Sequence, residues 1–136
     1  MADKTPDPSL RQLDVLVGTW KVTTTDADGK TEEGTVSFAW LEGGFFLVQK
    51  IDLGDTDAVE YIGHDAETGT LKSHLFGNSP EILEYTWQVE GDTLTIWYGG
   101  TDSPARYTGR FNEDRTANTG AWEWPGGGYR STMVRA

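Results

Sequence analysis

The stretch Ile82-Leu83-Glu84-Tyr85-Thr86-Trp87-Gln88-Val89-Glu90-Gly91-Asp92-Thr93-Leu94-Thr95-Ile96-Trp97-Tyr98-Gly99 decides the fold. Two runs rich in β-branched and aromatic residues flank Gly91-Asp92, the signature of two strands joined by a tight turn. Alternate side chains of a strand share a face, so Leu83, Tyr85, Trp87 and Val89 form one surface. A turn this short permits only an antiparallel neighbour, because a parallel crossover needs a dozen or more residues. The same pattern holds from Val17 to the end of the chain and predicts ten strands: Val17 to Thr25, Glu33 to Leu41, Gly44 to Leu53, Ala58 to His64, Thr70 to Gly77, Ile82 to Glu90, Thr93 to Gly99, Ala105 to Asn112, Ala117 to Trp124 and Gly128 to Arg135.

Ten meandering strands left open would expose two long edges, and closing the sheet on itself removes both. The expectation is therefore an all-β, antiparallel up-and-down barrel. With more strands than the roughly eight that side chains alone can fill, its interior should keep a ligand-sized cavity. One segment departs from the strand pattern. Asp7 to Leu16 offers a cap residue, a proline near the first turn, and Leu10, Leu13 and Val17 at helical spacing, which predicts one short N-terminal helix closing an end of the barrel.

A chain of 136 residues is one ordinary domain. Residues 1–9 read as a flexible segment and residues 10–136 as the barrel. There is no cysteine, which excludes disulfides, thiolate zinc sites and cysteine nucleophiles. Twenty-two acidic residues against eleven basic ones give a formal charge of −11, a field that repels phosphate backbones and anionic lipid headgroups. Neither nucleic acid nor membrane is expected as a partner; a small-molecule ligand is, and a homodimer stays open. The N-terminus lacks the apolar core of a secretory signal, and no run approaches a membrane span, so a cytoplasmic location is expected.

Leu16-Val17-Gly18-Thr19-Trp20, following the helical segment, resembles the Gly-x-Trp opening of the calycins, the superfamily of lipocalins, fatty-acid-binding proteins and related bacterial barrels. The blocks Trp40-Leu41-Glu42-Gly43-Gly44-Phe45-Phe46, Tyr61-Ile62-Gly63-His64-Asp65 and Trp122-Glu123-Trp124-Pro125-Gly126-Gly127-Gly128-Tyr129 look like small bacterial lipocalin-like domains of unassigned function. The resemblance implies that Trp20 plugs the closed end and that Arg135 packs across it. Haem barrels of the nitrobindin type carry a C-terminal histidine ligand, whereas no histidine follows His74 here. The Arg-x-Tyr anchor of fatty-acid-binding proteins is replaced by Tyr129-Arg130-Ser131-Thr132. No cofactor is expected, and haem remains the least favoured reading.

Strand alternation groups Phe38 with Val36 and Trp40, Tyr85 with Trp87, and Trp122 with Trp124. These faces are predicted to point inward, making Phe38, Trp40, Tyr85, Trp87, Trp122 and Trp124 the candidate ligand contacts. The leading function is binding of a hydrophobic or ring-containing metabolite in the cavity. The alternative is a cofactor-independent barrel enzyme, an isomerase, cyclase or decarboxylase acting on a small unsaturated substrate. It would use His74, Tyr85 or Arg106 as acid, base or anion anchor if these point inward. Glu60, Glu84 and Glu123 lie mid-strand and read as solvated. Two histidines ten positions apart do not make a metal site, so no metal is expected.

Overall fold

The computed structural model describes residues 5–136. It contains a 3-10 helix, Pro8–Leu16, and ten strands: β1 (Gly18–Thr25), β2 (Thr31–Trp40), β3 (Phe46–Leu53), β4 (Thr56–Asp65), β5 (Thr70–Phe76), β6 (Ile82–Glu90), β7 (Thr93–Tyr98), β8 (Arg106–Phe111), β9 (Ala117–Trp124) and β10 (Gly127–Arg135). Every predicted strand is present. Each pairs antiparallel with its chain neighbours, and β10 returns to pair with β1, placing Trp20 opposite Arg135 and Val22 opposite Met133. The result is the expected closed up-and-down barrel. Residues 1–4 of the expected flexible segment lie outside the described residues.

The helix is shaped by its sequence in a way that revises the expected spacing. Asp7 caps it by accepting from the Ser9 backbone N–H at 2.9 Å, and Pro8 occupies the first turn, where no N–H is needed. Leu10, Leu13 and Leu16 are all buried, whereas Val17 is partly exposed. A period of three matches the three residues per turn of a 3-10 helix and brings these leucines onto one face. That face packs against β4 and β6 and covers one end of the barrel.

Trp20 fills the same end. It is completely buried, and its indole N–H donates to the Leu16 carbonyl at 2.8 Å. The Arg135 guanidinium lies 4.2 Å from the centre of the Trp20 ring and donates to the carbonyls of Val15, Val17 and Arg115 at 2.6, 2.8 and 3.1 Å. One cation thus satisfies three carbonyls from the helix junction and the β8–β9 turn while stacking on the plug. Gly18 is needed beside it: its φ is +126°, and a Cβ there would meet the guanidinium at 2.8 Å. The packing of Arg135 across Trp20 is as the resemblance implied.

Leu47, Ile62, Leu71 and Phe111 complete the packed floor around Trp20. Truncating Trp20 to alanine is expected to cost about 3–5 kcal/mol of stability, the usual range for a buried aromatic. Arg135→Ala is expected to cost about 2 kcal/mol, through the carbonyls it strands. Urea denaturation of both variants checks these values.

Candidate functional site

Above this floor the barrel is hollow. The cavity measures about 540 Å³ and is walled mainly by apolar side chains from the inner faces of the strands. Aromatic rings dominate one side. Tyr85 meets Tyr98 and Trp122 edge-on at 5.6 and 5.8 Å between centroids, and Trp122 meets Tyr107 at 6.0 Å. Phe38 and Trp87 pack at right angles deeper in, with centroids 6.3 Å apart. Such edge-to-face and tilted contacts hold the rings against one another without collapsing the space between them.

A buried polar cluster interrupts the mainly apolar wall. Glu60, on β4, is only 2% exposed. Gln49 Nε2 on β3 donates to its Oε1 at 2.7 Å. Ser73 Oγ on β5 and Trp87 Nε1 on β6 donate to its Oε2 at 2.5 and 3.1 Å. The Trp87 indole also donates to Ser73 Oγ at 3.0 Å, so the serine proton is directed at the carboxylate. Four consecutive strands each contribute one member. Burial pushes the Glu60 carboxyl up to about 7, and the hydrogen bonds from Ser73, Trp87 and Gln49 oppose that rise. The same desolvation pushes Tyr85 up to about 12 and raises Tyr107 and Tyr129.

The inferred site residues divide between inside and outside. Phe38, Tyr85, Trp87, Trp122 and Trp124 line the cavity. Trp124 lies 42% exposed and packs on Tyr129 at the mouth. Trp40 does not line it. Its strand ends at the helix side, where its indole donates to Asp14 Oδ1 at 2.9 Å and the Arg11 guanidinium covers the ring at 4.3 Å. His74 is on the outer face and binds Glu84 Oε1 at 3.0 Å, with both side chains largely exposed. Arg106 is also outside, exposed and opposite Glu123 in register. Alternation explains both outcomes, since Leu71, Ser73 and Leu75 take the inner face of β5, and Tyr107, Gly109 and Phe111 that of β8.

Glu60 corrects the expectation of a solvated residue. Its signal was parity: Leu47-Gln49-Ile51, Glu60-Ile62 and Leu71-Ser73-Leu75 each set a polar residue into an otherwise apolar alternate face. Among the described residues, no group of three or more histidine, aspartate or glutamate side chains is placed to hold a metal ion. No helix among them is long and apolar enough to cross a membrane.

No protein-family model matches the chain, and no curated protein does. Solved structures with a similar fold include three redesigned β-barrels. One, mFAP1 bound to DFHBI, is 20% identical, with 92% of this chain and 99% of that chain covered and a TM-score of 0.48. Another, mFAP0 bound to DFHBI, is 18% identical over 89% of this chain and 99% of that one, with a TM-score of 0.46. The third, b11L5F_LGL, is 20% identical over 98% and 99%, with a TM-score of 0.43.

The raised Glu60 carboxyl sets a pH dependence of stability. Between about 4.5 and 7 the folded protein keeps a proton that the unfolded chain has released, so stability falls as pH rises through that window. Asp7, Asp65, Asp92 and Asp114 are held below the ordinary carboxylate range by side-chain hydrogen bonds from Ser9, Thr68, Arg110 and Thr116. Their contribution is complete above about pH 4 and is lost only below it. The fall from pH 4.5 to 8 attributable to Glu60 is on the order of 3 kcal/mol. Glu60→Gln is expected to abolish it, because a carboxamide oxygen still accepts from Ser73 and Trp87 and does not ionise. Denaturation curves of both proteins across this range check the assignment.

Proposed function

We propose that this protein binds a small hydrophobic, ring-containing metabolite inside the barrel. The observation that supports it most is the aromatic-walled cavity of about 540 Å³ with the hydrogen-bonded group of Glu60, Gln49, Ser73 and Trp87 on its wall. Binding sites for compounds of drug size fall at about 300–1,000 Å³, are mostly apolar, and use a few fixed polar groups to orient the guest. Phe38, Tyr85, Trp87 and Trp122 supply flat surface for ring stacking, and Trp124 stands at the mouth. Turnover in the same space would draw on Tyr85 or Glu60; His74 and Arg106, on the outer face, offer it no acid, base or anchor.

A neutral ring dye such as N-phenylnaphthylamine tests the reading. At about 0.4 kcal/mol per non-hydrogen atom it should bind with a Kd on the order of 10 µM and gain fluorescence. Ser131→Trp, which fills the cavity from β10, should abolish that gain, whereas His74→Ala and Arg106→Ala should leave it intact. Equal fluorescence from the filled variant would place the dye elsewhere and overturn the proposal.

A further inference from the structure

We infer that the preferred guest is a ring-bearing organic cation, such as a protonated aryl-alkyl amine, with Glu60 as its counter-ion. The inference rests on the cavity being a ligand site and specifies what that site selects. Three independent features converge on it.

The first is an acid without a partner charge. Glu60 is buried, yet among the described residues no lysine, arginine or histidine lines the cavity. Its hydrogen bonds all run inward from donors, from Gln49, Ser73 and Trp87, which is the arrangement that suits an ionised carboxylate. Oε1 accepts a single bond from the protein and keeps acceptor capacity. The charge is met by hydrogen-bond donors but by no counter-charge among the described residues. A cation entering the cavity would supply the missing half of the pair in a medium where that attraction is strong.

The second is the wall around it. Trp87 and Tyr85 flank the acid on β6, and Trp122, Tyr107 and Phe38 surround the remaining space. Ring faces attract organic cations, and aromatic cages are a recurrent way of holding them in the absence of water. The third is the charge of −11, which concentrates cations at the mouth and repels carboxylate-bearing ligands. Among the described residues, the titratable groups sharing the cavity with Glu60 are four tyrosines: Tyr85 on β6, Tyr98 on β7, Tyr107 on β8 and Tyr129 on β10. A tyrosine bears no positive charge in any state. On β4 itself, His64 lies four residues along at the closed end, 3.6 Å from Asp7.

The test compares naphthylethylamine, a cation throughout neutral pH, with naphthylethanol, its uncharged counterpart, by calorimetric titration. At pH 8 the amine should bind at least tenfold more tightly than the alcohol. Glu60→Gln should erase the preference, bringing the amine and the alcohol to comparable affinity. In the unmodified protein, amine affinity should fall about tenfold from pH 8 to pH 6, because only the ionised fraction of Glu60 pairs with it, while alcohol affinity stays flat. This pH series decides the matter even if the variant fails to fold. Comparable binding of both compounds would overturn the cation reading and leave the ligand site standing. So would a preference that survives Glu60→Gln, which would assign it to the surface charge. If neither compound nor the neutral dye binds, the site itself falls, and this inference with it.

Discussion

The pairing of β1 with β10 is the constraint from which the rest follows. Nine tight connections make each strand a neighbour of the next, but only the return of the last strand to the first removes both edges and encloses a volume. A ring of ten strands is wider than its own inward side chains can fill. The molecule resolves this unevenly. Below, Trp20, the three helix leucines and Phe111 pack solid, and Arg135 ties the last strand to the helix junction across the tryptophan. Above, rings lean on one another edge to face or at a tilt and leave a void. The closed end thus secures the barrel, and the open half is released from a structural duty.

Placing a carboxyl in that void works against stability. An ionised group taken out of water costs several kcal/mol, and three hydrogen bonds offset only part of it. Gln49, Ser73 and Trp87 come from three different strands and are all aimed at Glu60, so its orientation is fixed before any guest arrives. That is the physical form of a preorganised site: the desolvation and ordering are borne by the fold and not by the binding event. The outward acids are different in kind. Asp92 pairs with Arg110 at 2.9 Å and Glu84 with His74 at 3.0 Å, both in solvent, where such pairs contribute little.

Much of this was legible in the residues. The strands announced themselves because alternation and turn chemistry agree at each junction, and tight turns left only an antiparallel meander. Faces were legible where a strand carries several large apolar residues, as at Phe38, Tyr85, Trp87 and Trp122. They were not legible on β5, whose alternate residues are Leu71, Ser73 and Leu75 against Lys72, His74 and Phe76: each set mixes polar and apolar groups. Trp40 shares parity with Phe38, but its strand runs out at the rim, where the helix claims it through Asp14 and Arg11. Parity tells which way a side chain points and not how far along the bore it lies. Glu60 was lost to a sound default, since a glutamate on a half-exposed strand is usually solvated. A closed barrel inverts that default, because a position alternating with outward residues faces the bore and its packed walls and not bulk solvent.

Glu60 is buried in the cavity wall, held by Trp87 and uncompensated by any cation among the described residues. The most direct measurement of that burial is a carbon-13 NMR titration of the Glu60 side-chain carboxyl, recorded together with the Trp87 indole proton. The expected result is a carboxyl midpoint near pH 7, with the indole resonance shifting at the same midpoint as its acceptor changes charge. A midpoint near the ordinary glutamate value, with the Trp87 resonance unmoved, would contradict it and show the carboxyl to be in water.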